Sequence, residues 1–418
     1  MARILVSSVG VGNENREYRK TNYSIEGNTY ENIKFLASAI NEHYNIDKFF
    51  LIGTSKSMWE EVYSNFSNKK NSYDENTYND LKEEIILSGE NAETIDLSCV
   101  EEALGKGSKI YQIKYGINEA ELIYNLEIFM KLSEILEDGD EIYIDITHSF
   151  RSLSLYMFVV LNYIQNVIDK KIEIKAVLYG MLESKDETKP VVNLEIIYKM
   201  IEWIKGANEF KNYGNSYTIA DLVEKEGNTE YARKLRNFSD SLNLGYMGSL
   251  KEQINSLKNL DKIVLKHGLG TYVIPKIVND FLEYFKNAKT ESETQLNLSK
   301  WFYDNKKYSN SYLTLQEAMI TYGCENQKYE NNFDNREKTK KSMKAIYSEY
   351  KKKLSRNKYR KLSDSEVFSK IFCEITIIRN NIAHSGKNRR SYSEDIEQFL
   401  KDYNAVSKMM RKRIELRF

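Results

Sequence analysis

Glu141-Ile142-Tyr143-Ile144-Asp145-Ile146-Thr147-His148-Ser149-Phe150-Arg151 passes from a short apolar run into a polar turn and then into Phe150 to Ile168, whose spacing predicts a helix. Similar units lie on either side. Ile4 to Val9 reads as a buried first strand, and Phe49 to Thr54 as a second, followed by a helix over Ser55 to Phe66. Ile110 to Ile113 is a third, Asn118 to Leu136 an amphipathic helix, and Ile172 to Tyr179 closes the series with a hairpin partner over Val191 to Ile197. Ser67 to Tyr78 reads as loop, Gly12 to Asn28 as a long polar loop, and Asn28 to Tyr44 as a helix through Ile33, Leu36, Ala37 and Ile40. Short apolar strands alternating with helices predict an α/β fold, a mostly parallel sheet covered on both faces.

In such sheets ligands sit outside the carboxyl ends of the strands. That rule selects Gly10, Gly12 and Asn13, then Thr54, Ser55 and Lys56, then Thr147, His148, Ser149, Phe150 and Arg151, and finally Tyr179 and Gly180. Hydroxyls, glycines and two cations at strand ends, with helix N-termini near Ser55 and Ser149, suit a phosphorylated nucleotide. The alternative is structural: Thr147 and Ser149 cap a helix and Asp145 satisfies strand-end amides. Gly10 and Gly12 match two glycines of a dinucleotide fingerprint whose third position holds Asn15, and the chain has no P-loop.

From about Ile201 strand signals stop and the chain reads as helices. These are expected over Ile201 to Tyr213, over Asn228 to Leu257 with a break at Gly245 or Gly248, and over Ile274 to Asn287 with Pro275 in the first turn. Leu296 to Asp304 and Tyr308 to Tyr322 suggest a helical hairpin, and Ser393 to Leu416 a last long helix. Within this half, Phe368, Ile371, Phe372, Ile375, Ile378 and Ile382 form one apolar stripe, with Arg379 on the same line and His384 close by, before Gly386. Arginine grips phosphate through two donors, and histidine moves protons near neutral pH. The pair suits RNA cleavage, where a 2′-hydroxyl attacks and a 5′-oxygen leaves. The plainer reading pairs Arg379 with Glu374 and leaves His384 at a helix end. Arg389 and Arg390 lie close enough to grip substrate. Lys338 to Lys361 is locally basic with Tyr347, Tyr350 and Tyr359 interleaved, which is either a solvated helix face or a surface for single-stranded RNA.

The whole chain sets the bounds. Sixty-one acidic and 61 basic residues leave no global field toward nucleic acid or membrane. Cys99, Cys324 and Cys373 are scattered, which points to a reducing compartment, and the four histidines have no metal-ligand spacing. Leu155 to Leu161 is too short to span a bilayer. A cytoplasmic protein with no metal or other cofactor is expected.

Ile144 to Arg151 resembles the D-I-T-H-x-x-R signature of CARF domains, the Rossmann-like sensors of CRISPR-associated proteins, and Gly53 to Trp59 and Tyr179-Gly180 resemble further pieces of that domain. Arg379-Asn380-Asn381-Ile382-Ala383-His384 resembles the R-x-x-x-x-H motif of HEPN ribonucleases. Sensor first and HEPN last resembles the CARF–HEPN ribonucleases of type III CRISPR systems. The resemblance implies a CARF domain over residues 1–200 and a helical connector with an all-α HEPN domain over 201–418. It implies a homodimer or higher homo-oligomer in which cyclic oligoadenylate binds across the CARF pair. That binding would activate a composite, metal-independent site with Arg379, Asn380 and His384 from each subunit, leaving 2′,3′-cyclic phosphates on single-stranded RNA. Two other readings stand beside it: a non-catalytic nucleotide sensor whose helical half binds a partner, and a sensor that degrades its own ligand through Thr147, His148 or Lys56.

Overall fold

The computed structural model describes residues 1–12, 20–88, 94–148, 151–167, 170–245, 247–258, 268–356, 362–383 and 391–416, without the side chains of 133, 151–153, 161, 165, 166, 247–251, 258 and 354–356. Two compact units divide it, Met1–Lys199 and Met200–Phe418.

In the first unit, β1 (Arg3–Ser8), β4 (Lys48–Gly53), β6 (Glu141–Asp145) and β7 (Glu173–Gly180) carry continuous buried apolar runs because helices cover both faces of the sheet. β1 lies between β4 and β6, parallel to both, so that Val6 stands opposite Phe50 and Ile144. β5 (Lys109–Gln112) extends the sheet beyond β4, and β7 pairs in parallel with β6. The helices are α1 (Leu36–Tyr44), α2 (Trp59–Lys69), α3 (Glu75–Leu87), α4 (Ser98–Leu104), α5 (Glu119–Ile135) and α6 (Arg151–Val167). The expected α/β half with a mostly parallel sheet is present.

One expectation fails. Thr21 to Ile33 is no loop-and-helix but a hairpin of β2 (Thr21–Ile25) and β3 (Asn28–Ile33), turning on Glu26 and Gly27, both at positive φ. β2 pairs in parallel with β8 (Thr188–Asn193), itself antiparallel to β7, so the sheet runs β3-β2-β8-β7-β6-β1-β4-β5. The helix begins only at Leu36. Tyr23 and Ile25, two residues apart and each 1 % exposed, are the period-2 pattern that a helical reading of this stretch misses. Ser67 to Tyr78 likewise contains the start of α3, capped by the Asp74 carboxylate on the Thr77 N–H.

The second unit is helical. α7 (Glu195–Tyr213) crosses the division, followed by α8 (Tyr217–Lys225), α9 (Thr229–Leu244) and α10 (Met247–Lys258), with the expected break at Gly245. α11 (Gly270–Leu282) starts earlier than expected, which puts Pro275 inside the helix rather than in its first turn. α12 (Glu291–Asp304) and α13 (Tyr308–Asn326) are the predicted hairpin. α14 (Phe333–Arg356), α15 (Asp364–Ala383) and α16 (Tyr392–Arg411) complete it. Phe281 meets Phe210, Phe238 and Trp301 edge-on in one core, and a second gathers Tyr312, Phe368, Phe372, Ile375, Phe399 and Val406. α16 stops at Arg411 because Ile414 and Leu416 are drawn onto α13. Tyr322 and Asn326 donate to the Ile414 carbonyl, and Asn326 accepts from the Leu416 N–H.

Candidate functional site

The order of strands places β1 beside β6, although the chain has visited β4 and β5 in between. That reversal opens a crevice at the carboxyl ends of β1 and β6. Asp145, 2 % exposed, ends β6 there. Its carboxylate accepts the Ser7 hydroxyl at 2.8 Å and the Thr147 N–H at 2.9 Å. The Thr147 hydroxyl in turn accepts the Gly180 N–H at 2.8 Å. Three adjacent strand ends are thereby tied together by one buried carboxylate and one hydroxyl.

Gly180 is a close approach: a Cβ on it would stand 2.9 Å from the Tyr23 ring and 3.2 Å from the Thr147 methyl. The unexpected β2 thus packs directly under the crevice. Gly53 is equally constrained, since a Cβ there would meet Ser57 Oγ at 2.6 Å and the Trp59 ring at 2.7 Å. The turn after β4 is stitched to β1 by Ser57 Oγ donating to the Val9 carbonyl and by the Met58 N–H donating to the Gly10 carbonyl. Gly12 lies at positive φ, and a side chain there would run into Met58.

The expected ligand contacts separate into groups. Thr54 is buried, with its N–H on Ser57 Oγ and its carbonyl under the Trp59 indole N–H, so it braces the turn. Ser55 next to it makes no hydrogen bond among the described residues, which leaves its hydroxyl available. Lys56 Nζ donates to the Ile85 and Ile86 carbonyls at 2.9 and 3.0 Å, capping the end of α3, and a phosphate would have to draw it away. The Tyr179 hydroxyl donates to Glu183 at 3.0 Å, a partner from the β7–β8 turn that sequence spacing did not single out. Asn13, Ser149 and Phe150 lie outside the described residues, as does the side chain of Arg151, which opens α6.

His148 points under the strand ends, into a small cavity lined by Ser7, Ser8, Phe35, Leu36 and Asp145. Its ring Nε2 is shielded from solvent. Burial pushes its pKa down, and the neighbouring Asp145 opposes that only in part. A histidine depressed in the folded state and ordinary in the unfolded one binds its proton preferentially when unfolded. Its contribution to stability is therefore complete above about pH 6.5 and declines as pH falls below that toward the folded-state value. Thermal midpoints of the first unit should fall from pH 7 to pH 5, and less so in His148→Gln. Parallel profiles for the two proteins would contradict this.

In the second unit, Ile375 and Ile378 are buried on α15, but Arg379 and Asn380 are exposed. The expectation that Arg379 shares the apolar line is corrected: the stripe ends at Ile378, Ile382 is 37 % exposed, and the guanidinium remains in solvent without needing a buried partner. Its Nη1 donates to the Asn380 side-chain oxygen at 3.0 Å, while Glu374 pairs with Lys370 instead. His384, Arg389 and Arg390 lie outside the described residues. Among the described residues no cluster of His, Cys, Asp or Glu could hold a metal ion, and no helix is long and apolar enough to cross a membrane.

Comparison with known proteins gives matches in two family models and one curated relative. Residues 4–183 match the model of the CARF domain of the CRISPR system endoribonuclease Csx1, and residues 199–293 match the second domain of CRISPR-associated protein MJ1674. The CRISPR-associated protein MJ1674 of Methanocaldococcus jannaschii is 33 % identical over 97 % of this chain, which spans 66 % of that relative's length. Among solved structures, Enterococcus italicus Csm6 bound to cyclic hexa-2′-fluoro-hexa-dAMP aligns with a TM-score of 0.43 and 11 % identity, over 100 % of this chain and 95 % of the other.

Proposed function

The chain belongs to the CRISPR-associated CARF proteins, and from that premise we propose that it is an endoribonuclease switched on by a cyclic oligoadenylate. The observation that carries the reading is the pairing of two features. One is a strand-end crevice, tied together by Asp145 and Thr147, in the unit that matches the CARF model. The other is an exposed guanidinium, aligned by Asn380, near the end of α15.

In the crevice, Ser55, Thr147 and Arg151 would take phosphate oxygens, and Tyr179 would receive a base, with Gly180 keeping the floor beneath it low. Gly10, Gly12 and Thr54 shape the loops around them. On the helical unit, Arg379 offers paired donors to the pentavalent phosphorus, whose negative charge grows in the transition state. His384 moves the protons: one leaves the attacking 2′-hydroxyl and one reaches the departing 5′-oxygen, so the products are a 2′,3′-cyclic phosphate and a 5′-hydroxyl. No metal or cofactor is assigned a role.

Two copies of the chain would act together. Apolar side chains stand exposed on α5 and α6 (Ile123, Leu155 and Val159, each at least half exposed) and beside Arg379 on α15 (Ile377). Patches of this kind mark surfaces that a partner covers. Degradation of the activator by this chain has less support, because His148 is turned inward and Lys56 is held on α3.

The test is incubation of RNA with the full chain and a panel of cyclic oligoadenylates, in chelator. Cleavage with one ring size, leaving 2′,3′-cyclic phosphate ends, is the expected result. Bound activator with every RNA left intact would favour a non-catalytic sensor and overturn the proposal.

A further inference from the structure

α14 packs Thr339, Met343 and Tyr350 into the core and turns its lysines outward. Several of its cations are already engaged. Arg336 pairs with Glu317, Lys340 with Glu337 at 2.7 Å, Lys353 with Glu349 at 3.8 Å, and Lys338 lies over the Tyr329 ring. Lys341, Lys344 and Lys351 are exposed and form no ion pair among the described residues. Steps of three and seven put these three on one side of the helix, with Tyr347 between the last two on the same line. Lys351 Nζ rests 4.6 Å from the centre of the Tyr347 ring, which stacks on the buried Tyr350.

The stripe borders the helix that carries Arg379. α14 packs along α15, and at the level of Cys373, whose thiol pKa burial raises, Lys344 and Lys351 oppose that shift in part. Asn380 follows Cys373 by seven residues, two turns, on the same face and about 10 Å along the axis. Asn380 is the residue that holds the Arg379 guanidinium.

We propose that Lys341, Lys344, Tyr347 and Lys351 form a binding track for single-stranded RNA that leads the substrate to Arg379. This rests on the nuclease reading above and names how that site holds its substrate. Three ammonium groups in line, with no ion pair among the described residues, complement a run of phosphates, in a chain whose total charge is zero. Lys351 leaving the tyrosine for a phosphate uncovers a ring on which an unpaired base stacks. A duplex keeps its bases stacked and offers none.

The experiment uses the full chain carrying Arg379→Ala, so that bound RNA is not consumed. Binding of a fluorescent single-stranded RNA is followed by anisotropy over a salt series. Lys341→Gln, Lys344→Gln and Lys351→Gln together should weaken binding and reduce the slope of log affinity against log salt by about 2, at roughly 0.7 for each phosphate charge that a lysine no longer neutralises. Tyr347→Ala should weaken binding, and Tyr347→Phe should not. With Arg379 restored, the triple variant should raise KM for RNA and leave kcat at saturation unchanged.

Replacing Lys211, Lys225 and Lys276 by Gln removes the same charge from other exposed sites of the unit and is the control. Equal weakening in the control, equal competition by a duplex, absence of RNA binding by the starting protein, or an unchanged triple variant would each overturn the track. RNA held through the stripe but left intact with every activator ends the nuclease reading and leaves the track standing. Activated cleavage with unchanged KM in the triple variant ends the track alone.

Discussion

Arg379→Ala removes activator-dependent RNA cleavage, with an expected loss of about 10²–10³ in rate, the scale seen when one preorganised donor to a developing negative charge is deleted. The protein should stay folded. Arg379 is exposed and its guanidinium bonds to the neighbouring Asn380, so the change belongs with surface substitutions that alter stability by about 0.5 kcal/mol or less. Affinity for the cyclic oligoadenylate should persist, because the proposed activator contacts are in the other unit. Arg379→Lys sharpens the test: it keeps the charge but loses the planar fork, and should recover little of the rate. Full cleavage by both variants would remove Arg379 from the chemistry.

Asp145→Ala has the opposite signature, a loss of stability together with a loss of response to the activator. The Ser7 hydroxyl and the Thr147 N–H both lose a buried charged acceptor, and each such bond is worth about 1.5–3 kcal/mol. A total near 3–6 kcal/mol is a large part of what holds a domain folded. Thr147 is then no longer held where its hydroxyl meets the Gly180 N–H, so the crevice loses its shape as well. Ser7→Ala removes only one donor and leaves Thr147 in place. It should cost about 1.5–3 kcal/mol and preserve activation. Denaturant unfolding and activator titration of the two variants separate the effects. An Asp145→Ala protein with unchanged stability would show that the carboxylate does not brace the crevice.

How far the chain could be read from its residues follows from the range of each interaction. Ile4 to Val6, Phe49 to Ile52 and Ile142 to Ile144 are buried on both sides, and an unbroken apolar run betrays such a strand wherever its neighbours lie. Asp145-Ile146-Thr147-His148 was legible as a strand end for the same local reason. Tyr23 and Ile25 were not, because half their pattern is polar and their burial depends on β8 and on the missing side chain of Gly180, more than 150 residues away. The surroundings of Lys56 and Arg379 were hidden for the same reason from opposite sides. Lys56, expected on a phosphate, met the carbonyls at the end of α3, while Arg379, placed on an apolar line, proved to lie just past the edge of what α15 buries.

By itself the order of residues determined that an α/β half precedes a helical half, and it singled out Asp145 to Arg151 and Arg379 to Asn380 as candidate sites. Hydrophobic period and strand-end polarity are local properties, written within about ten residues. Only the tertiary structure decided that a hairpin completes the sheet beneath Gly180, that His148 faces inward, and which lysines of α14 keep their charge unpaired. Those outcomes depend on which distant groups arrive within a few ångströms, and burial and ion pairing respond to that distance alone.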